Sequence, residues 1–266
     1  VFEKNVGHNV FNQLAVKIDM NGVDDDAYFE WLDEMIRSAS DVIPGIRFLE
    51  REGVRTSPPL NTAVYYDTDD YQLLPTGALL RTSCNVVTHA FCAFKMPEDR
   101  HGNRLDRRHV FAGEEKATIQ QTPFSPASTA IVKALLSRED IDHPGVFLKQ
   151  EFGITASDLS PAVVLRGHRS TYYVLIGDLD ILRCSIDRST VFDARGDADL
   201  ERPAHFREVE LSIYPRISPE ISDDPRVIQA IRLLADSLTE RFAAKVIYDI
   251  KYQRAAGYLG IESTAG

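Results

Sequence analysis

The sequence predicts an α+β protein built on an antiparallel eight-stranded β-barrel flanked by helices. Three features of the chain point there. Stretches of alternating polar and apolar residues recur at hairpin spacing in both halves, without the strand–helix alternation of a doubly wound sheet. Segments with helical periodicity stand between and after them. Charged residues also gather on single strand faces: in 207–213, Glu208, Glu210 and Ser212 point one way, while Val209, Leu211 and Ile213 point the other. If helices cover the outside of such a barrel, the apolar faces turn outward and the charged faces line the lumen.

The elements follow in order. A strand is expected over Phe11 to Met20, where Leu14, Val16 and Ile18 alternate with Gln13, Ala15, Lys17 and Asp19. A helix over Asp26 to Ser38 carries Phe29, Leu32, Met35 and Ile36 at helical spacing behind an acidic first turn. Asp24-Asp25-Asp26 reads as that helix start, since the rest of a calcium-loop pattern is absent. After the breaker-rich segment Thr56 to Pro59 come strands over Thr62 to Tyr66 and Ala78 to Cys84. A hairpin pair over His89 to Met96 and Leu105 to Phe111 follows, its polar tip from Glu98 to Asn103 a candidate lid. Ser125 caps a helix with Pro126 at its first position. Strands are expected over Ala162 to Leu165, Arg169 to Ile176, Ile181 to Arg188 and His205 to Tyr214. Asp224 and Pro225 open the third helix, striped by Val227, Ile228, Ile231, Leu234, Leu238 and Phe242.

Composition narrows the function classes. With 266 residues, 44% hydrophobic and 26% charged, the chain is long enough for one large domain, read here as spanning 1–266. A net charge of -10 argues against salt-driven binding to duplex nucleic acid, which needs a basic surface. Cys84, Cys92 and Cys184 are odd in number and lack paired metal-ligand spacing, as expected of a reducing compartment. No apolar run reaches membrane-span length and no secretory signal pattern is present, so a cytoplasmic protein with no membrane partner is expected. The seven histidines show no zinc-binding spacing, and no phosphate-binding P-loop motif occurs. Despite the acidic balance, the strand faces in 80–83, 91–95, 164–166 and 182–187 carry mostly cations, which suggests an anion site.

The segment Tyr65-Tyr66-Asp67-Thr68 through Leu73, Gly77 and Leu80-Arg81 resembles the signature of CYTH proteins, the triphosphate tunnel metalloenzymes. Phe91-Cys92-Ala93-Phe94-Lys95 looks like the strand that follows with its inward lysine, Glu208-Val209-Glu210 like the paired glutamates of a late strand, and Ile250-Lys251-Tyr252 like the C-terminal lysine motif. The resemblance implies a tunnel whose lysines and arginines bind a triphosphate while glutamates hold magnesium or manganese. It would make Lys17, Arg81, Lys95, Arg166, Arg183 and Lys251 phosphate ligands and Glu208 and Glu210 metal ligands. Arg108, Arg107 and Arg169 are further candidates whose orientation depends on strand register. Asp187 shares the face of Arg183 and Ser185 and joins Glu208 and Glu210 as a candidate catalytic carboxylate. Guanidinium forks and lysine point charges suit phosphate oxygens.

The first strand departs from the pattern. Where the resemblance expects a Glu-x-Glu-x-Lys triplet, the chain has Gln13-Leu14-Ala15-Val16-Lys17, two hard oxygen ligands fewer for a magnesium ion. The expected function is a metal-dependent phosphohydrolase acting on a triphosphate or polyphosphate. The alternative is a binding module of the same shape for a polyphosphate or nucleotide, with a degenerate metal site. A third reading makes the sheet an interaction scaffold with its charges on the surface.

Overall fold

The computed structural model of the protein describes residues 9–12, 15–97, 103–139, 142–196, 203–213 and 224–262, with backbone alone at 9–12 and 103–104. Its strands are β1 (Asn9–Asn12), β2 (Ala15–Asp19), β3 (Ile46–Leu49), β4 (Leu60–Asp67), β5 (Leu79–Asn85), β6 (Ala90–Lys95), β7 (Asn103–Val110), β8 (Ser160–Ile176), β9 (Leu179–Asp193), β10 (Ala204–Ile213) and β11 (Val246–Ile247). They form one antiparallel sheet in the order β1-β7-β6-β5-β4-β8-β9-β10-β2-β11, with β3 attached to β8. Among the described residues no ladder closes this path into a cylinder, but its two limbs are chain neighbours: β1 on β7 ends at Asn12, and β2 on β10 begins at Ala15. Taken as one stave, β1 and β2 complete the expected set of eight with β4 to β10; β3 and β11 are short additions.

The three expected helices are α1 (Asp25–Val42), α3 (Pro126–Leu136) and α5 (Pro225–Phe242). Each starts at a side-chain cap: Asp24 accepts from Ala27 N at 2.7 Å, Ser125 from Ser128 N at 3.1 Å and Asp224 from Arg226 N at 2.8 Å. Three more correct the sequence reading: α2 (Gly113–Gln121), α4 (Pro144–Phe152) and α6 (Lys251–Leu259). Helix α2 buries only Ile119, so its periodicity carries little apolar signal. A second correction joins the segments 162–165 and 169–176 into the single 17-residue strand β8. Gly167 is no break there; a Cβ at that point would stand 3.0 Å from the Arg188 carbonyl oxygen, so glycine permits the close approach of β9.

Two apolar layers cover the outside. Helices α1 and α5 pack on Ile18, Tyr172, Val174, Cys184, Ile186, Val209 and Leu211 from β2, β8, β9 and β10. Helices α2, α3 and α4 pack on Val64, Leu80, Cys92 and Phe94 from β4, β5 and β6. A third cluster lies on the opposite, inner face, where Tyr252, Ala255 and Ala256 of α6 meet Ala63, Tyr65, Val163, Leu165, Val191 and Phe206. Tyr252 stacks on Tyr65 with centroids 5.0 Å apart. The interior is therefore part apolar plug, which the expectation of a charged lumen did not include. Among the described residues no helix is long and apolar enough to cross a membrane.

Candidate active site on the inner face

Strand register assembles the site. Residues paired directly across a ladder share a face, so Asp19, Glu208, Asp187 and Arg169 form one row across β2, β10, β9 and β8. Lys17, Glu210, Ser185 and Thr171 form the next, and Ala15, Ser212, Arg183 and Tyr173 the one after. Asp187, Glu208 and Glu210 offer carboxylate oxygens within 4.8 Å of one another.

Three cations hold this trio. Arg169 donates through Nε and Nη2 to both oxygens of Asp187 at 2.7 and 2.6 Å, and through Nη2 to Glu210 at 2.7 Å. Lys251 Nζ lies 2.5 Å from Asp187 Oδ2 and 2.6 Å from Glu208 Oε1. Arg254, one helical turn beyond Lys251 on α6, pairs with Glu208 Oε2. Burial alone would raise the Asp187 carboxyl, but the charges of Arg169 and Lys251 outweigh it and hold the group well below the usual range. Glu210 is likewise pushed upward by burial and pulled down further by Arg169 and Lys251, to about 2. Burial disfavours the Lys251 ammonium, yet Asp187 and Glu208 raise its pKa above the ordinary lysine value.

A different balance holds on β5, β6 and β7. Arg81, Ala93 and Arg108 form one inner row; Leu79, Lys95 and Asp106 form the adjacent one. Buried Asp106 receives Lys95 at 2.9 Å and Arg108 at 3.2 Å on its Oδ2. Burial pushes its carboxyl up, and the charges of Lys95, Arg108 and Arg81 bring it below the ordinary value. Arg81 makes no ion pair among the described residues, and its buried Nε has no hydrogen-bond partner there. Among the described residues, three cations thus face one carboxylate on this wall.

The signature residues near Asp67 build the turn that leads into β5. Wholly buried Asp67 accepts from the backbone N–H groups of Thr68, Leu73 and Leu74 at 2.8, 2.9 and 3.1 Å, and from the Tyr252 hydroxyl at 2.8 Å. Burial raises its carboxyl despite these donors. One side chain thereby fixes the approach to Arg81 and anchors α6.

Not every sequence candidate reaches the inner face. Arg166 is a correction: it pairs across the ladders with Thr62 and Thr190, shares the outward parity of Val164, and stands over the Phe192 ring at 5.6 Å. With β8 unbroken, Arg166 and Arg169 have opposite parity, and only Arg169 faces in. Arg107 also points outward, paired with Asp142 and stacked 4.3 Å from the Phe147 centroid. His168 Nδ1 donates to the Pro58 carbonyl oxygen at 2.9 Å, on the outer side. The candidate lid residues 98–102 and Gln13 lie outside the described residues; Ala15 has no ligand atom. Arg254 and Asp106 were missed. Arg254 sits three residues from Lys251 on a helix, and Asp106 shares the strand parity of Arg108; both spacings are legible once those elements are assigned.

No protein-family model matches the sequence, and no curated protein matches it. Solved structures do. A Bacillus halodurans protein described as a candidate adenylate cyclase is 16% identical, covers 93% of this chain and 98% of its own, and superposes with a TM-score of 0.52. HpAC1 from Hippeastrum, an adenylyl cyclase candidate described with a dominant triphosphatase activity, is 12% identical over 93% of this chain and 96% of its own, with a TM-score of 0.51. The fold is the one shared with these two structures. This tunnel protein therefore has the architecture that its Tyr66-Asp67-Thr68 and Glu208-Val209-Glu210 segments led one to expect, with an inner face that separates into an ion-paired acidic wall and a cation-rich wall.

Proposed function

We propose that the protein is a metal-dependent phosphohydrolase acting on a triphosphate or polyphosphate held on the inner face of the tunnel. One observation carries this reading: a chain of net charge -10 gathers Lys17, Arg81, Lys95, Arg108 and Arg183 on the same concave face as a carboxylate trio whose oxygens lie within 4.8 Å. The shared fold with Hippeastrum HpAC1, described with a dominant triphosphatase activity, supports the substrate class.

The donor set of Asp187, Glu208 and Glu210 fits a hard divalent cation such as Mg2+ or Mn2+, all carboxylate oxygens, and buried Glu208 Oε1 has no aligned hydrogen-bond donor among the described residues. Bound there, such an ion would supply Lewis-acid polarisation of a phosphoryl oxygen. The rest falls to the chain's own groups. Arg81, Lys95, Arg108, Lys17 and Arg183 neutralise and orient phosphate oxygens, so that charge developing on them meets fixed donors. Arg169 locks Asp187 and Glu210 in place through its two-pronged contact. Asp187, kept ionised by burial-opposing charges of Arg169 and Lys251, acts as an acceptor that orients a water molecule and does not act as a proton donor at neutral pH.

A second reading, a polyphosphate- or nucleotide-binding module, is favoured by two facts: every carboxylate of the trio is engaged by a cation of the same chain, and the first strand carries Gln13 and Ala15 where carboxylates are expected. Phosphate release from inorganic triphosphate, ATP and triphosphorylated RNA, each with magnesium, manganese or chelator, tests the proposal, alongside thermal-shift titrations of the same compounds. Chelator-sensitive release is expected. Stabilisation without release would sustain the binding module instead.

A further inference from the structure

The acidic trio is electrically balanced before any ligand arrives: Arg169, Lys251 and Arg254 face Asp187, Glu208 and Glu210. Arg254 differs from the other two. Lys251 and Arg169 each touch two of the carboxylates, whereas Arg254 engages Glu208 alone among the described residues. Its guanidinium lies 4.5 Å from the Phe206 ring centroid, is nearly fully buried, and leaves Nη2 without a hydrogen-bond partner among the described residues. A guanidinium placed only to stabilise the fold would ordinarily satisfy both amino groups, since a buried donor without a partner is unfavourable. Glu208 is wholly buried and has Lys251 on one oxygen and Arg254 on the other, so no oxygen of it is free of a positive charge.

We propose that Arg254 is a resident cation of the acidic site, a positioning residue that engages Glu208 through Oε2 and thereby sets how tightly the trio takes a divalent ion. This inference rests on the assignment of Asp187, Glu208 and Glu210 as cation ligands made above. Its physical basis is simple. A fixed unit positive charge a few ångströms from an incoming dication opposes it strongly where water is excluded, and a carboxylate with Arg254 on Oε2 offers less of its charge to an ion on Oε1. On the first strand Gln13 and Ala15 supply no carboxylate to offset that opposition, and Asp19, paired across the ladder with Glu208, is the acidic residue that strand contributes to this face. The absence of carboxylates at 13 and 15 and the presence of Arg254 on α6 act in the same direction, towards a weak cation site.

The test is direct Mn2+ binding, followed by calorimetry and by the loss of the free-ion paramagnetic resonance signal, with no phosphate compound present. Wild-type protein is compared with Arg254→Gln and with Lys251→Met, each checked by circular dichroism and thermal melting. Arg254→Gln is expected to tighten Mn2+ binding by roughly tenfold or more, the order of effect that one neighbouring charge exerts at a part-buried site. Lys251→Met, which removes the other cation on Glu208, is expected to tighten it too, and it keeps the question open to test should Arg254→Gln fail to fold. Unchanged or weaker Mn2+ binding in the folded variants would overturn the inference, as would the absence of Mn2+ binding in all three proteins. Phosphate release plays no part in this readout, so a protein that binds Mn2+ more tightly without Arg254 yet hydrolyses nothing would uphold the inference while removing the proposed hydrolase activity.

Discussion

The two walls of the tunnel hold their charges differently. On β8, β9 and β10 three carboxylates meet Arg169, Lys251 and Arg254, and the cluster is neutral. On β5, β6 and β7 the single carboxylate Asp106 meets Lys95 and Arg108 while Arg81 stands without an ion pair among the described residues, and the cluster is positive. Both walls are made by the same device, alternation along antiparallel strands with the apolar side under helices. The difference is what faces inward. A neutral cluster of buried ion pairs is costly to break and ready for exchange with a cation; an under-neutralised one attracts anions. An anion would therefore be held chiefly by the β5–β7 wall, and cation chemistry would belong to the β8–β10 wall.

The largest expected effect breaks the neutral wall. Glu208→Ala leaves Arg254 buried without its carboxylate and Lys251 with Asp187 alone, and a loss of stability of about 3–5 kcal/mol is expected, read from the midpoint of urea unfolding. A shift below about 1 kcal/mol would mean that the ion pairs are not closed to solvent as described. Next, Glu210→Gln should separate the two walls functionally: metal-dependent phosphate release falls by tenfold or more, on the order of what one catalytic interaction contributes, while tripolyphosphate binding in chelator changes little. Equal loss of both would merge the walls into one site.

Acid offers a third, graded test. Glu210 is held at about 2 in the folded protein, with burial opposing and Arg169 and Lys251 prevailing, against an ordinary value of about 4.3. Its folded value is depressed, so its contribution to stability is full above the unfolded value and is lost as the pH falls through the folded one. Wild-type melting temperatures should drop between about pH 4.3 and 2, and Glu210→Gln should flatten part of that decline. A variant with an identical acid limb would contradict the assigned ion pairing. The smallest effect belongs to Arg166→Ala, which removes an exposed outward arginine: stability within about 0.5 kcal/mol of wild type and unchanged anion binding by calorimetry. Substantial loss of binding would reverse the facing of β8.

Much of this contrast was legible in the chain. Parity placed Glu208 and Glu210 on one face of their strand and Asp187 on one face with Ser185 and Arg183, the β9–β10 register then joining the two sets, and the starts at Asp24, Ser125 and Asp224 marked three helices because a side-chain acceptor and a proline or acidic first turn announce a start locally. What failed to show depended on long-range geometry. Arg166 was expected among the phosphate ligands from the resemblance, and with strands read over 162–165 and 169–176 no parity linked it to Arg169; the unbroken β8 forces the two to opposite sides. Helix α6 is short, and its apolar residues pack on the inside of the sheet, so nothing local reveals that Arg254 reaches Glu208 across 46 residues of chain. Asp106 lies among Arg104, Arg107 and Arg108 at the end of a polar hairpin, where a solvated carboxylate is the ordinary expectation; only the β6–β7 register shows it buried against Lys95.

The most direct test of the account is a calorimetric titration of tripolyphosphate, in chelator and at fixed salt, into wild-type protein and into an Arg81→Ala, Lys95→Ala double variant with an unchanged circular dichroism spectrum. Saturable binding to the wild type, lost in the double variant, is the predicted result. Binding of equal strength in both proteins, or none in the wild type, would contradict the claim that the cation-rich wall of the tunnel is where a polyphosphate is held.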